Sequence, residues 1–307
     1  MRFFGDPNNV PQQMYVKING AKVIYGGDAQ NLGQRRWQMW YIDLASLGVN
    51  LSHVTTLTVG FERMGTAGGQ GKVLLDGIRL YSYDRQLVTP AASNSAGLTA
   101  RYEFEGTYND SSGHNHTGVP VGIPTFVAGK VGQAVYLAGR EDYVEVPDYN
   151  GVSGVESRSC CAWIKTTKAN EEIISWGQNV ASQKWVFRTN SDGTIRAEVN
   201  GGYIIGSTDL RDDTWHHVAA AFETDQTPDA TDIKLYVDGV QEAISSELSV
   251  AINTAADGTL IIGKSPWSAS TFFFEGLIDD VRIYNYALSP AEVAGLAGRT
   301  KPFDKPF

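Results

Sequence analysis

A ten-residue phrase with an acid in the same place occurs twice. Leu-Leu-Asp-Gly-Ile-Arg-Leu-Tyr-Ser-Tyr begins at Leu74, and Leu-Ile-Asp-Asp-Val-Arg-Ile-Tyr-Asn-Tyr begins at Leu277. Strand alternation groups Asp76 with Ile78 and Leu80, and Asp279 with Val281 and Ile283, against Arg79 or Arg282 on the other side. A carboxylate among apolar neighbours must be met by hydrogen-bond donors, a cation or a metal. A second acidic group, Glu141, Asp142 and Glu145, lies in Gly-Arg-Glu-Asp-Tyr-Val-Glu-Val-Pro. Adjacent His216 and His217 alternate to opposite faces and do not converge on one ion, whereas His114 and His116 point the same way from a loop. Cys160 and Cys161 also alternate, lack zinc spacing and read as two reduced thiols. No nucleophile elbow, P-loop or dinucleotide fingerprint occurs. No catalytic residue is assigned.

Sugar recognition is the other chemistry within reach. It needs aromatic faces to stack on ring C–H surfaces and planar polar groups for hydroxyls. The candidates are Trp176, Trp185, Tyr203, Trp267 and the Phe272–Phe274 run, of which at least one ring should face outward and Phe273 is the ligand candidate. Trp267 sits in a loop, Gly-Lys-Ser-Pro-Trp-Ser-Ala-Ser-Thr, where core alternation explains a large ring least well. Trp163 and Trp215 lie inside regular strand patterns and read as core.

The elements that must position these residues are short strands. Runs of four to ten strand-forming residues recur about every ten positions, separated by Asp192-Gly193, Asp238-Gly239 and Asp257-Gly258 turns, the pattern of antiparallel hairpins. The fold class expected is all-β, two antiparallel β-sandwiches in tandem. Residues 1–87 read as a partial sandwich and 88–97, rich in Pro, Ala, Ser and Asn, as a linker. Residues 98–298 form the second sandwich, and 299–307 a tail that is loose or docked by its phenylalanines. Ser289, Pro290 and Glu292 spell an N-cap, a first-turn proline and a capping-box partner, with Gly298 as the stop of a short terminal helix.

Composition narrows the partners. The chain is 42% hydrophobic and 19% charged, and its net charge of −9 comes with no basic cluster longer than Arg35-Arg36. The electrostatic drive for nucleic acid or anionic membranes is therefore missing, and no apolar run is long enough to insert in a bilayer. The chain opens in what reads as the middle of a β-domain, so the expectation is a segment of a longer exported protein with further domains and an export signal upstream.

Residues 98–298 resemble the laminin-G-like, concanavalin-A-like jelly rolls. Tyr-Glu-Phe-Glu-Gly-Thr-Tyr-Asn-Asp-Ser-Ser-Gly-His-Asn-His-Thr-Gly, Val-Gly-Gln-Ala-Val-Tyr-Leu-Ala-Gly, Trp-His-His-Val-Ala, Leu-Tyr-Val-Asp-Gly and the closing phrase at Leu277 follow in family order. Residues 1–87 are similar to the C-terminal part of a galactose-binding-like jelly roll without its opening strands. Both resemblances imply that the closing aspartate serves a structural calcium ion. Asp279 is then expected to bind calcium with Asp110 and oxygens of the turn that ends at Asn115, and Asp76 to be a weaker counterpart. The family's hydrolases carry Glu-x-Asp-x-x-Glu on one strand, which does not occur here. The implied function is a non-catalytic, calcium-stabilised module binding polysaccharide or glycoconjugate, secreted or at the cell surface. A glycoside hydrolase or lyase on the same fold is the alternative, and an architectural spacer a third.

Overall fold

A computed structural model describes the chain except for residues 41, 43, 45, 46, 50, 51, 66–68, 77, 79–86, 268–270 and 305–307. The chain divides into two compact units, Met1–Gln86 and Leu87–Phe307.

Among the described residues, six strands run through the first unit: β1 (Arg2–Phe4), β2 (Gln13–Ile18), β3 (Ala21–Ile24), β4 (Trp37–Met39), β5 (Leu57–Glu62) and β6 (Leu74–Asp76). They make two antiparallel three-stranded sheets, ordered β4-β1-β6 and β3-β2-β5. Phe3, Met14, Val16, Ile18 and Trp40 form the core between them, which is why β2 alternates buried and half-buried residues along its length. Leu57 and Phe61 lie opposite core residues Ile18 and Met14, and Leu75 opposite Phe3. All three are nonetheless exposed, because β5 and β6 are edge strands.

The second unit continues with β7 (Leu87–Val88), β8 (Leu98–Tyr102), β9 (Val119–Val121), β10 (Thr125–Ala128), β11 (Gln133–Ala138) and β12 (Tyr143–Val146). Then come β13 (Arg158–Thr166), β14 (Glu172–Gly177), β15 (Lys184–Thr189), β16 (Ile195–Glu198), β17 (Tyr203–Ile205) and β18 (His216–Phe222). Last are β19 (Lys234–Val237), β20 (Val240–Gln241), β21 (Ser246–Leu248), β22 (Leu260–Ile262), β23 (Glu275–Tyr284), helix α1 (Pro290–Leu296) and β24 (Phe303–Asp304). One sheet, the back sheet, is ordered β10-β11-β23-β13-β18-β19-β20, with β8 also on β23. The other, the front sheet, is ordered β21-β17-β16-β15-β14-β22-β12-β9. The all-β expectation holds.

The two sheets enclose one apolar core. Ala162, Ile164, Val218 and Ile278 enter it from the back sheet, and Ile174, Trp176, Trp185, Phe187 and Ala197 from the front. Alternation sends Cys160 into this core and Cys161 out beneath α1, beside Tyr284 and Val293; both thiols are free. The helix forms as its sequence signals require: Ser289 and Glu292 close a capping box around Pro290. The residues expected to be a linker are instead fixed to the second unit. β7 pairs with β24, the Ala91 N–H donates to the Ala291 carbonyl, and Ser93 bonds the Tyr284 hydroxyl. The Pro, Ala and Ser composition signals a lack of regular structure here, and backbone pairing supplies the order.

Trp176 and Trp185 stand opposite each other across β14 and β15, fully buried and stacked at 5.6 Å. Their indole N–H groups donate to the Val152 carbonyl and the Cys160 sulfur. Substituting either one by alanine should lower unfolding free energy by about 3–5 kcal/mol in urea titration, as for large aromatic truncations in packed cores. A loss under 1 kcal/mol would mean the rings are surface groups.

Candidate functional site

The chemistry collects on the solvent side of the front sheet. Because Trp185 and Phe187 point inward, Lys184, Val186 and Arg188 point outward from β15, and Arg196 and Glu198 do the same from β16. Glu172, opposite Arg188 on β14, completes a row of charges. Loop residues Ser265, Trp267 and Phe272 lie against this row, and together with Asn179, Glu172, Lys184, Arg188 and Glu198 they line a cavity of about 180 Å³.

Charge on this surface is nearly buried, so its pairing matters. Lys184 Nζ reaches Glu198 Oε1 at 2.5 Å and Arg196 reaches Glu198 Oε2 at 2.7 Å. These cations hold the Glu198 carboxyl below the usual range against the desolvation that opposes it. Arg188 has no ion pair among the described residues: its Nε donates to the Thr189 carbonyl and its Nη2 to Asn170 Oδ1. Its guanidinium lies 4.3 Å from the centre of the Phe272 ring, and burial pulls its pKa down. Glu172 is 2% exposed, and its Oε2 is buried without a partner among the described residues. Desolvation raises its pKa to about 7, opposed by Arg188 and Lys184. The cavity is thus floored by a carboxyl poised to hold a proton at neutral pH, two cations, and an ionised carboxylate already shared between two donors.

A larger hollow of about 460 Å³ lies beside Glu223, Asp225, Asp232 and Glu247. Glu223, Asp225 and Glu247 are open to water, half-buried Asp232 accepts the Asp229 N–H, and none of the lining residues has a buried polar atom in want of a partner. The smaller cavity is the better site because its polar groups are already desolvated.

Of the aromatic candidates, the structure brings Trp267 to this cavity, half-buried, with Lys184 Nζ 5.4 Å from its ring centre. Trp176 and Trp185 are corrected to core residues: the pleat has a period of two, so choosing the wrong parity along β14 and β15 swaps the two faces. Tyr203 lies on the same outer face but away from the cavity, under Arg196 at 4.3 Å. Phe273 packs near Tyr143 and Lys264, while its neighbour Phe272 lines the cavity and Phe274 enters the core. Sequence reasoning missed Glu172, Lys184, Arg188 and Glu198. The signal was present in the alternate charges of Lys-Trp-Val-Phe-Arg and Ile-Arg-Ala-Glu.

The twice-written aspartate resolves differently in its two copies. Asp76 is exposed and ion-paired with Arg2 at 2.5 Å, because β6 is an edge strand; Gly77, Arg79, Leu80 and Tyr81 lie outside the described residues. Asp279 is buried, but not with Val281 and Ile283. Asp280 adopts φ 45°, and the register between β13 and β23 shifts there, with Cys161 opposite Arg282 but Trp163 opposite Asp279. This β-bulge turns Asp279 and Asp280 to the outer side and returns Val281 to the core. Asp280 is then held by Arg101 and Arg282. Lys130 and Val131 donate their N–H groups to Asp279 Oδ2 at 2.8 and 2.9 Å, while Oδ1 is buried without a partner among the described residues. Desolvation raises this carboxyl to about 6.

An orphaned buried oxygen fits a cation at Asp279. Asp110 fits less well, since its carboxylate already accepts from the Arg101, Ser112 and His116 N–H groups and the Ser112 hydroxyl. Asn115 is exposed at φ 63°. Among the described residues no three His, Cys, Asp or Glu side chains gather around one point. Asp142, from the acidic trio, accepts the Ile123 and Ala138 N–H groups as a turn anchor.

The family model described as the concanavalin A-like lectin/glucanases superfamily matches residues 138–294, just over half of the chain. Among solved structures, domain 4 of AbnA, a GH43 extracellular arabinanase from Geobacillus stearothermophilus in complex with arabinotriose, is 24% identical. It aligns with a TM-score of 0.52 over 65% of this chain and 98% of that one. The binding domain of Paraclostridial Mosquitocidal Protein 1 is 18% identical with a TM-score of 0.53, over 66% of this chain and 52% of that one. A curated relative, the "Sushi, von Willebrand factor type A, EGF and pentraxin domain-containing protein 1" of Rattus norvegicus, is 23% identical over 153 residues, which is 45% of this chain and 4% of that protein.

The raised carboxyl of Glu172 gives a stability test. An acid whose folded pKa exceeds its unfolded value stabilises the fold fully below the unfolded pKa, and that contribution is lost as pH rises through the folded pKa. For Glu172 the window runs from 4.5 to about 7. Glu171 and Asp279 act in the same direction, and buried His217, lowered to about 4, acts against them. Glu172→Gln should therefore reduce the loss of unfolding free energy between pH 5 and pH 7.5 by about 1–3 kcal/mol. An unchanged pH profile would show that Glu172 is solvated.

Proposed function

We propose that this chain, which belongs to the concanavalin A-like lectin/glucanases superfamily, is a non-catalytic module that binds a carbohydrate or glycoconjugate at the cavity under Trp267 and Phe272. It serves as a segment of a larger protein, secreted or at the cell surface. The observation that carries this reading is the row of desolvated polar groups on the outer front sheet, set beside two partly open aromatic rings. That combination orients a polyhydroxylated ring while covering its apolar face. The arabinotriose complex of the domain from the extracellular arabinanase supports sugar as the ligand class.

Glu172 and Glu198, two acids with opposite pKa shifts lining one cavity, favour a glycoside hydrolase as the second reading. Binding is preferred because each oxygen of Glu198 already holds a cation at 2.7 Å or less, which weakens it as a nucleophile or base.

The same reading places a structural calcium ion at Asp279, where the ion would satisfy the buried Oδ1 and remove the cost of an unpaired carboxylate.

Two outcomes follow. Trp267→Ala should weaken binding of any glycan retained on an array by at least tenfold in titration calorimetry, with the melting temperature little changed; an equal affinity moves the site elsewhere. Calcium added to chelator-treated protein at pH 7.5 should raise the melting temperature, and Asp279→Asn should abolish the rise. A wild-type protein indifferent to calcium leaves Asp279 as a turn anchor only.

A further inference from the structure

Two buried arginines in this unit are satisfied in different ways. Arg158 donates to the Glu156, Val152, Ser153 and Gly154 carbonyls and to the Thr254 hydroxyl, a full complement of acceptors around a fully buried guanidinium. Arg188 is 8% exposed and donates to only two acceptors, both neutral, with no carboxylate in ion-pair range among the described residues. What it borders instead is the cavity, and across the strand pair it faces Glu172, whose buried Oε2 has no partner among the described residues. A guanidinium with no carboxylate partner and a buried carboxyl oxygen without a partner among the described residues thus line the same small space. The orphaned oxygen is costly if it stays so in the working protein, and a cation facing a cavity without a counter-charge is open to one.

One ligand group answers both. A carboxylate in the cavity accepts from the Arg188 guanidinium N–H groups that Thr189 and Asn170 leave over, and its second oxygen accepts a hydrogen bond from the protonated Oε2 of Glu172. The volume of about 180 Å³ is below the ~300–1,000 Å³ of pockets that enclose drug-sized molecules, so one ring enters. We propose that the cavity recognises a single acidic sugar residue, of the uronate class, whose carboxylate is paired by Arg188 and hydrogen-bonded by the neutral acid form of Glu172. This rests on the reading of the cavity as the sugar site and names its ligand.

The arrangement couples binding to a proton. Every charged group facing Glu172 enters the balance: Arg188 and Lys184 from β15, and Glu198 with its partner Arg196 from β16. Ser265, from the loop after β22, lines the cavity beside Glu172 and favours its charged form. Just before the strand, the Glu171 carboxyl turns away to accept from the Thr166 hydroxyl and the Glu275 N–H. An incoming anion favours the protonated form of Glu172. Below the pKa of the free site the proton is already there and affinity is flat; above it, each binding event takes one proton from solvent.

The test is titration calorimetry of the whole chain with trigalacturonate and, separately, with galactotriose, from pH 6 to pH 9 and in two buffers of different ionisation heat at pH 8. The expected result is preference for trigalacturonate, an affinity that falls about tenfold per pH unit above neutrality, and uptake of close to one proton at pH 8. Glu172→Gln should flatten the pH dependence and abolish the uptake, and Arg188→Met should weaken trigalacturonate far more than galactotriose. The uptake measurement needs no variant, so a variant that fails to fold does not spoil the test. Galactotriose bound as well as trigalacturonate, or trigalacturonate bound without proton uptake, overturns the acidic-sugar inference and leaves the sugar module standing. No binding of either, together with silence on a glycan array, overturns both. Release of new reducing ends from either oligosaccharide overturns the neutral-acid binding role in favour of hydrolysis.

Discussion

Glu198, gripped by Lys184 on one oxygen and Arg196 on the other, is the interaction on which the outer face of the front sheet depends. A strand interior normally presents apolar or solvated side chains, yet β15 and β16 present charges that are largely shielded from water. Such a surface is tolerable only when its charges are paired. The triad does this for three of them and fixes their positions through the pleat, because Lys184 and Arg196 sit on either side of residues packed into the core. Glu172 and Arg188, one strand pair along, are left incompletely matched. In this account the imperfection is where a ligand enters, while the stacked Trp176 and Trp185 on the reverse of the same strands keep the floor rigid.

The back sheet shows the same logic with a different outcome. There the β-bulge at Asp280 brings two consecutive aspartates to one side of the sheet. Asp280 is absorbed by two arginines, and Asp279 is anchored by two backbone N–H groups through one oxygen only. A one-residue irregularity thus converts what alternation reads as a core aspartate into an outward, covered one. Its remaining oxygen is the observation that supports the cation implied by the resemblance.

Much of this was legible in the sequence. Period-two patterning and regular Asp-Gly turns give the all-β class, and Ser289, Pro290 and Glu292 give the helix and its cap. The order of motifs gives the family, which the match over residues 138–294 bears out. Parity was the weak point. Assigning Trp185 to a ligand face and ignoring Lys184 is an error of one residue, and a one-residue slip exchanges core for surface. Hydrophobic and aromatic letters do not by themselves say which side of a sheet they serve when both sides are buried, as they are across β14 and β15. The bulge was likewise invisible, since Asp-Asp-Val-Arg scans as regular alternation. The segment at 88–97 was misread because composition reports the absence of regular patterning and not the absence of contacts.

On the proposed function, ligand enters through the cavity between Glu172, Arg188 and Trp267. Its most direct test is backbone and indole N–H chemical-shift mapping of the isotopically labelled chain during titration with an acidic oligosaccharide. The perturbed resonances should cluster on Glu172, Lys184, Arg188, Ser265 and the Trp267 indole, with the hollow beside Glu223 and Glu247 unmoved. Perturbations centred on that acidic hollow, or on the first unit with the front sheet silent, would contradict it.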